Sequence, residues 1–145
     1  MANLPDRIQK MLTGEVPLPP ITRLIGFDLT AVGGGHSTFT FQAEARHANA
    51  LGTLHGGVLC DITDMAMGLA YGSTLGDDES FTTIELKINF LRPVWGGRLT
   101  ANAHVVKGGR TLGLVECDVL DDQQRLVARA SSTCLTLRGE AARGR

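Results

Sequence analysis

Much of this chain alternates strictly between apolar and polar side chains. From Ser37 to Arg46, Phe39, Phe41, Ala43 and Ala45 take one side while Thr38, Thr40, Gln42 and Glu44 take the other. A period of two is that of a strand with one buried face. The same period returns in Ile84, Leu86, Ile88 and Phe90 against Thr83, Glu85, Lys87 and Asn89, until Pro93 stops it. Leu99, Ala101, Ala103 and Val105 alternate with Thr100, Asn102 and His104, and Thr111 to Leu120 and Leu126 to Leu137 continue as strands. Arg23 to Thr30 reads as a first strand, turned into the next by Gly33-Gly34-Gly35. Gly108-Gly109 and the run from Asp121 to Gln124 mark further turns, so the later strands read as an antiparallel meander.

One stretch breaks this period. Leu51 to Ser73 opens with His55-Gly56-Gly57 and runs on with helical spacing, Val58, Ile62, Met65, Ala66 and Leu69 forming a packed side. A neighbouring stripe carries Gly57, Asp61, Asp64, Gly68 and Gly72 in steps of three and four. Glycine costs a helix interior roughly 1 kcal/mol against alanine, so these glycines point to something approaching closely. Upstream, Pro5 to Thr13 is a short amphipathic helix on Ile8, Met11 and Leu12, and Pro17, Pro19 and Pro20 predict an extended connection. The expected organisation is a helix and lead-in over 1–22, one α+β domain over 23–138, and a disordered tail over 139–145. A single long helix cannot cover both faces of such a sheet. The sheet is therefore expected to curl around it, with a second copy covering other surface.

The 145 residues include 14 basic and 15 acidic side chains. A net charge of −1 offers no field to recruit nucleic acid. Cys60, Cys117 and Cys134 are odd in number and irregularly spaced, which argues against a disulfide framework. No apolar run approaches the roughly 20 residues of a membrane span, and the first ten residues lack a signal-peptide core. A cytoplasmic protein without membrane or nucleic-acid partners is the expectation. His36, His47 and His104 have no partners at metal-ligand spacing, so no metal is expected.

The candidate chemistry sits where the helix begins. In Asn49-x-x-Gly52-x-x-His55-Gly56-Gly57, Gly56 lets a carbonyl oxygen approach bare backbone N–H groups, where the helix dipole favours developing negative charge. Asp64 lies about two turns further in, fit to act as a base on water or as a nucleophile. The Asn49 amide can position that water or the carbonyl. The same residues also fit a plain turn, with His55 bonded to local backbone. Asp61 is close enough to the helix start to be read as an electrostatic stabiliser.

Asn49…Gly52-Thr53-Leu54-His55-Gly56-Gly57…Asp64, with Thr83…Asn89-Phe90…Pro93 and Gly108-Gly109-Arg110-Thr111, resembles the hotdog-fold acyl-CoA thioesterases of the phenylacetate-pathway (PaaI-like) branch. The resemblance runs from the first strand to the last. It implies a hotdog fold and hydrolysis of an aromatic or medium-chain acyl-CoA to free acid and coenzyme A, the coenzyme A being no separate cofactor. It also implies a homodimer, paired further into a tetramer, with a site shared between subunits. Gly56 would polarise the thioester carbonyl, Asp64 of the facing subunit would supply base or nucleophile, and Asn49 and His55 would hold the geometry. Some relatives carry a hydroxyl one turn after the acid, where this chain has Gly68; Thr83 is the expected substitute. Arg110 is the expected partner of the coenzyme A phosphates. The competing readings are a hotdog hydratase or dehydratase, which would use a His with an acidic partner, and a non-catalytic acyl-CoA sensor.

Overall fold

The computed structural model describes residues 3–143. Helix α1 (Leu4–Thr13) is capped by Asn3, whose side chain accepts from Asp6 N–H, and ends at Gly14 in the left-handed region that glycine adopts without strain. A second helix, α2 (Pro20–Ile25), occupies part of what the sequence reading gave to an extended connection and a first strand. Proline supports a helix when it sits in the first turn, where its missing N–H has no partner to lose, and Pro20 sits there. Strand β1 (Phe27–Gly33) therefore starts later than expected, and β2 (His36–Ala43) follows. A short 3-10 turn at Ala45–His47 leads on towards the long helix α3 (Gly56–Gly72). Four long strands complete the sheet: β3 (Glu79–Phe90), β4 (Gly97–Gly108), β5 (Leu112–Asp121) and β6 (Leu126–Arg138). Gly139–Ala142, within the expected disordered tail, forms a 3-10 turn, and residues 144–145 lie outside the described residues.

All pairings are antiparallel, in the order β1-β2-β4-β5-β6-β3. The meander expectation holds for β4-β5-β6. It fails for β3, which pairs with β6 at the far edge, so the chain crosses over between β3 and β4. Helix α3 touches every one of the six strands. Such contact requires a sheet curled around the helix, as expected.

Alternation along the strands feeds one core. Phe39, Phe41, Leu99, Ala101, Val115, Cys117, Val119 and Ala130 close on Ile62, Ala66, Met67 and Ala70 of α3. Polar groups on this face are all bonded. The buried Ser37 hydroxyl donates to Ala66 O (2.6 Å), and Tyr71 and Thr136 share a buried hydrogen bond (2.7 Å). The glycine stripe of α3 divides by depth. Side chains added at Gly68 and Gly72 would meet the Phe81 ring at 3.3 Å, and at Gly72 also Ile8 at 2.7 Å. The close approach at these two positions is therefore packing against β3 and α1.

The two edges of the sheet are treated differently. Edge strand β1 is packed by α1, with Gln9 Nε2 donating to Val32 O (2.9 Å). Edge strand β3 runs twelve residues, with Ile84 and Phe90 each 55% exposed. A long, unprotected apolar edge is a template for pairing.

Candidate active site

Helix α3 begins at Gly56 with His55 as its N-cap residue, and no side chain caps it. The N–H groups of Gly56 and Gly57 have no backbone acceptor among the described residues, as is usual for a first helical turn. They form a donor site that the fold leaves open. The approach to it is fixed from the loop before. Asn49 Oδ1 accepts from Leu51 N (2.9 Å) and Thr53 N (3.3 Å), its Nδ2 donates to Thr53 Oγ1 (3.0 Å), and its backbone N donates to Thr53 O (2.7 Å). Asn49 thus spends its amide on folding the loop. His55 N donates to His47 O (2.9 Å), Leu54 N to Val94 O (2.8 Å), and the His55 imidazole lies against Gly57. Among the described residues that imidazole makes no hydrogen bond. His47 is the buried histidine, accepting from Glu44 N at Nδ1 (3.0 Å) with Nε2 2.8 Å from Ile25 O, its ring edge-on to Phe41.

Asn49 and Gly56 share a cleft of about 390 Å³ with Thr53, Leu54, Leu59, Phe90, Leu91, Arg92, Pro93 and Val94. Its walls are mainly apolar, and Arg92 is the cation among them. Arg92 makes no ion pair within the described residues. The crossover after β3 supplies four of these positions, Leu91 to Val94, held where Leu91 N and Arg92 N both donate to Val127 O (2.9 and 3.2 Å).

Asp64 and Thr83 lie in a second depression with Cys60, Asp61, Ile84, Glu85 and Leu86. The two hollows have no residue in common. A β-bulge shapes this one: Thr83 pairs with Cys134 and Glu85 with Thr133, leaving Ile84 as the extra residue. The bulge sets the Thr83 hydroxyl beside Asp64. Burial raises the Asp64 pKa above the usual carboxylate range despite its exposed tip, the Asp61 charge raises it further, and the Thr83 hydroxyl pulls it partly back. Asp61 sits at the sixth helical position, past the first turn. The expected dipole stabiliser is therefore a second carboxylate in the Asp64 hollow.

Arg110 lines neither hollow. It stands in the turn between β4 and β5, where its carbonyl accepts from Arg138 Nη2 (2.6 Å). The thiols are poorly suited to nucleophilic work: Cys117 is pushed up to about 12 by burial, and burial also raises Cys60 and Cys134. Among the described residues no three His, Cys, Asp or Glu side chains cluster as metal ligands, and no helix is long and apolar enough to cross a membrane.

Residues 51–128, more than half the chain and including all of α3, match the family model of the thioesterase superfamily. The chain belongs to the thioesterase superfamily. Its sheet-wrapped helix is the hotdog fold, and its activity class is thioester hydrolysis. A conserved protein of Pseudomonas aeruginosa is 33% identical, with a TM-score of 0.78 over 83% of this chain and 95% of that one. A phenylacetic acid degradation-related protein of Ralstonia eutropha is 30% identical, with a TM-score of 0.81 over 89% and 98%. The medium/long-chain acyl-CoA thioesterase YigI of Salmonella typhimurium is 27% identical over 79% of this chain and 83% of its own length.

Gly56 and Asp64, which the resemblance assigns to facing subunits, open into separate hollows. Sequence reasoning missed the crossover residues Leu91, Arg92 and Val94. The signal for them was available, because Pro93 interrupts an apolar run that a plain turn does not need.

Proposed function

We propose that this thioesterase hydrolyses acyl-CoA esters in a site shared by two subunits. The observation that carries the reading is a separation. Gly56 and Asp64 are eight residues apart on one helix, hence about 12 Å along its axis and about 80° around it. A thioester carbonyl polarised by one and attacked with help from the other must lie about 3 Å from each. One chain cannot bring both to the same carbonyl. A two-fold axis at the open β3 edge solves this, because an isologous contact brings residue i to j and j to i at once. Gly56 of one protomer then faces Asp64 of the other, and two equal sites form.

In this site the Gly56 N–H donates to the thioester oxygen and stabilises the negative charge that develops there. Asp64, ionised and held by Thr83, takes a proton from water or attacks the carbonyl itself. The carbon–sulfur bond breaks and coenzyme A leaves as the thiolate; the water route gives the acid at once, whereas direct attack leaves an acyl-aspartyl anhydride that a water must then hydrolyse to free the acid and restore Asp64. Arg92, at the Gly56 cleft, is better placed than Arg110 to meet the phosphates of coenzyme A. The hydratase alternative is disfavoured, since His104 pairs with Glu116 on exposed sheet surface and His55 has no acidic partner among the described residues.

Thiol release from a panel of acyl-CoA esters tests this. Asp64→Ala is expected to lower turnover by about 100-fold or more. Arg92→Gln is expected to raise KM for the coenzyme A ester but not for the same acyl group on N-acetylcysteamine, which lacks the phosphates. Wild-type protein inert to the whole panel contradicts the proposal.

A further inference from the structure

Gly56 is hemmed in by Phe90. A Cβ built on Gly56 would stand 2.8 Å from Phe90 Cζ and within 3.2 Å of two more ring carbons. The ring thus occupies the space a side chain at position 56 would take, beside the open N–H donors of α3. Phe90 is nonetheless 55% exposed, at the last position of the edge strand β3, and it pairs in register with Ala128. The ring is also a wall of the Gly56 cleft, with Leu54, Leu59 and Val94 continuing the apolar lining.

A carbonyl oxygen bonded to the Gly56 N–H brings its own carbon, and the carbon next to it, up against this wall. The restriction therefore falls on width beside the carbonyl and leaves chain length to be set elsewhere. We propose that Phe90 is a specificity-determining residue, admitting acyl groups with an unbranched carbon next to the thioester carbonyl and excluding those branched there. The inference rests on the proposed thioesterase reaction and deepens it by naming the substrate class. One misplaced methyl group in an apolar pocket is worth roughly 10- to 200-fold in selectivity, enough for a single ring to decide.

The test compares butyryl-CoA with 2-methylbutyryl-CoA, which differ by one methyl group on that carbon, for wild type, Phe90→Leu and Phe90→Ala. The wild type is expected to favour butyryl-CoA in kcat/KM, and Phe90→Ala to reduce that preference by about tenfold or more, with Phe90→Leu between. Thermal melting and sedimentation of each variant separate this from loss of fold or subunit pairing, since those lower both substrates together and leave the ratio unchanged. A ratio unchanged in both variants overturns the inference while leaving the thioesterase reading intact. No hydrolysis of either ester by the wild type overturns that reading and the inference with it.

Discussion

In the proposed reaction the chemistry turns on Asp64, and its environment gives the direction in which it should titrate. Burial raises its pKa, Asp61 raises it further, and Thr83 opposes both. Only the ionised carboxylate can act as base or nucleophile, so the acid limb of kcat/KM should lie above the usual carboxylate range. Asp61→Asn removes a raising charge and is expected to move that limb to lower pH. Thr83→Val removes the lowering hydrogen bond and is expected to move it to higher pH. The pH profiles of the two variants check both signs, and shifts in the same direction would contradict the account. The linkage to stability has a definite sign as well. A carboxyl whose folded pKa is raised binds more protons folded than unfolded, so its contribution falls as pH rises through that window. Asp64 therefore belongs with groups kept for function at some cost to stability.

At the scale of elements, alternation made most strands legible, and the change of period made α3 legible too. What alternation could not show was partner choice. The Ile84, Leu86, Ile88 and Phe90 series looks like any strand with one buried face, yet Ile84 and Phe90 stay half exposed because β3 lies at an edge. The bulge at Ile84 moves the inward face from Phe81, which packs on Gly68 and Tyr71, to Leu86 and Ile88, and only the off-phase Phe81 marks it in the sequence. Proline misled at α2, where its position in the first turn, rather than its presence, decided the outcome. Glycine carries different messages by element. Gly113 in β5 is required by Tyr71, whose ring would stand 2.1 Å from an added Cβ. Both groups are buried, and the Tyr71 hydroxyl is tied to Thr136. Gly113→Ala is expected to destabilise by about 1–3 kcal/mol through overpacking, read as a lower midpoint in urea. An unchanged midpoint would mean that Tyr71 relaxes freely.

For the whole molecule, the central claim is that one chain holds two halves of two different sites. In the proposed dimer the loop and helix start of one protomer would supply the donors, and the mid-helix and bulged strand of the other would supply the acid. Half of this was legible in the residues: Gly56 and Asp64 stand out by type and spacing. The division between subunits, which the family resemblance implies, is supported by placing them about 12 Å apart on a rigid helix. Mixing two inactive variants tests it directly. Asp64→Asn disables the acid, and Gly56→Pro disables the donor side, deleting the N–H at a first-turn position that proline tolerates while its ring displaces the exposed Phe90 ring. His55, with φ −65° and ψ 130°, already has the extended backbone a following proline prefers. Each variant alone should be nearly inactive. Unfolded together and refolded at equal amounts, half the dimers combine one of each, and each such dimer regains one of its two sites. Activity is therefore predicted to return to about a quarter of the wild-type level. No recovery beyond the two variants measured separately, from a mixture shown to contain the mixed dimer, would contradict a site built across subunits.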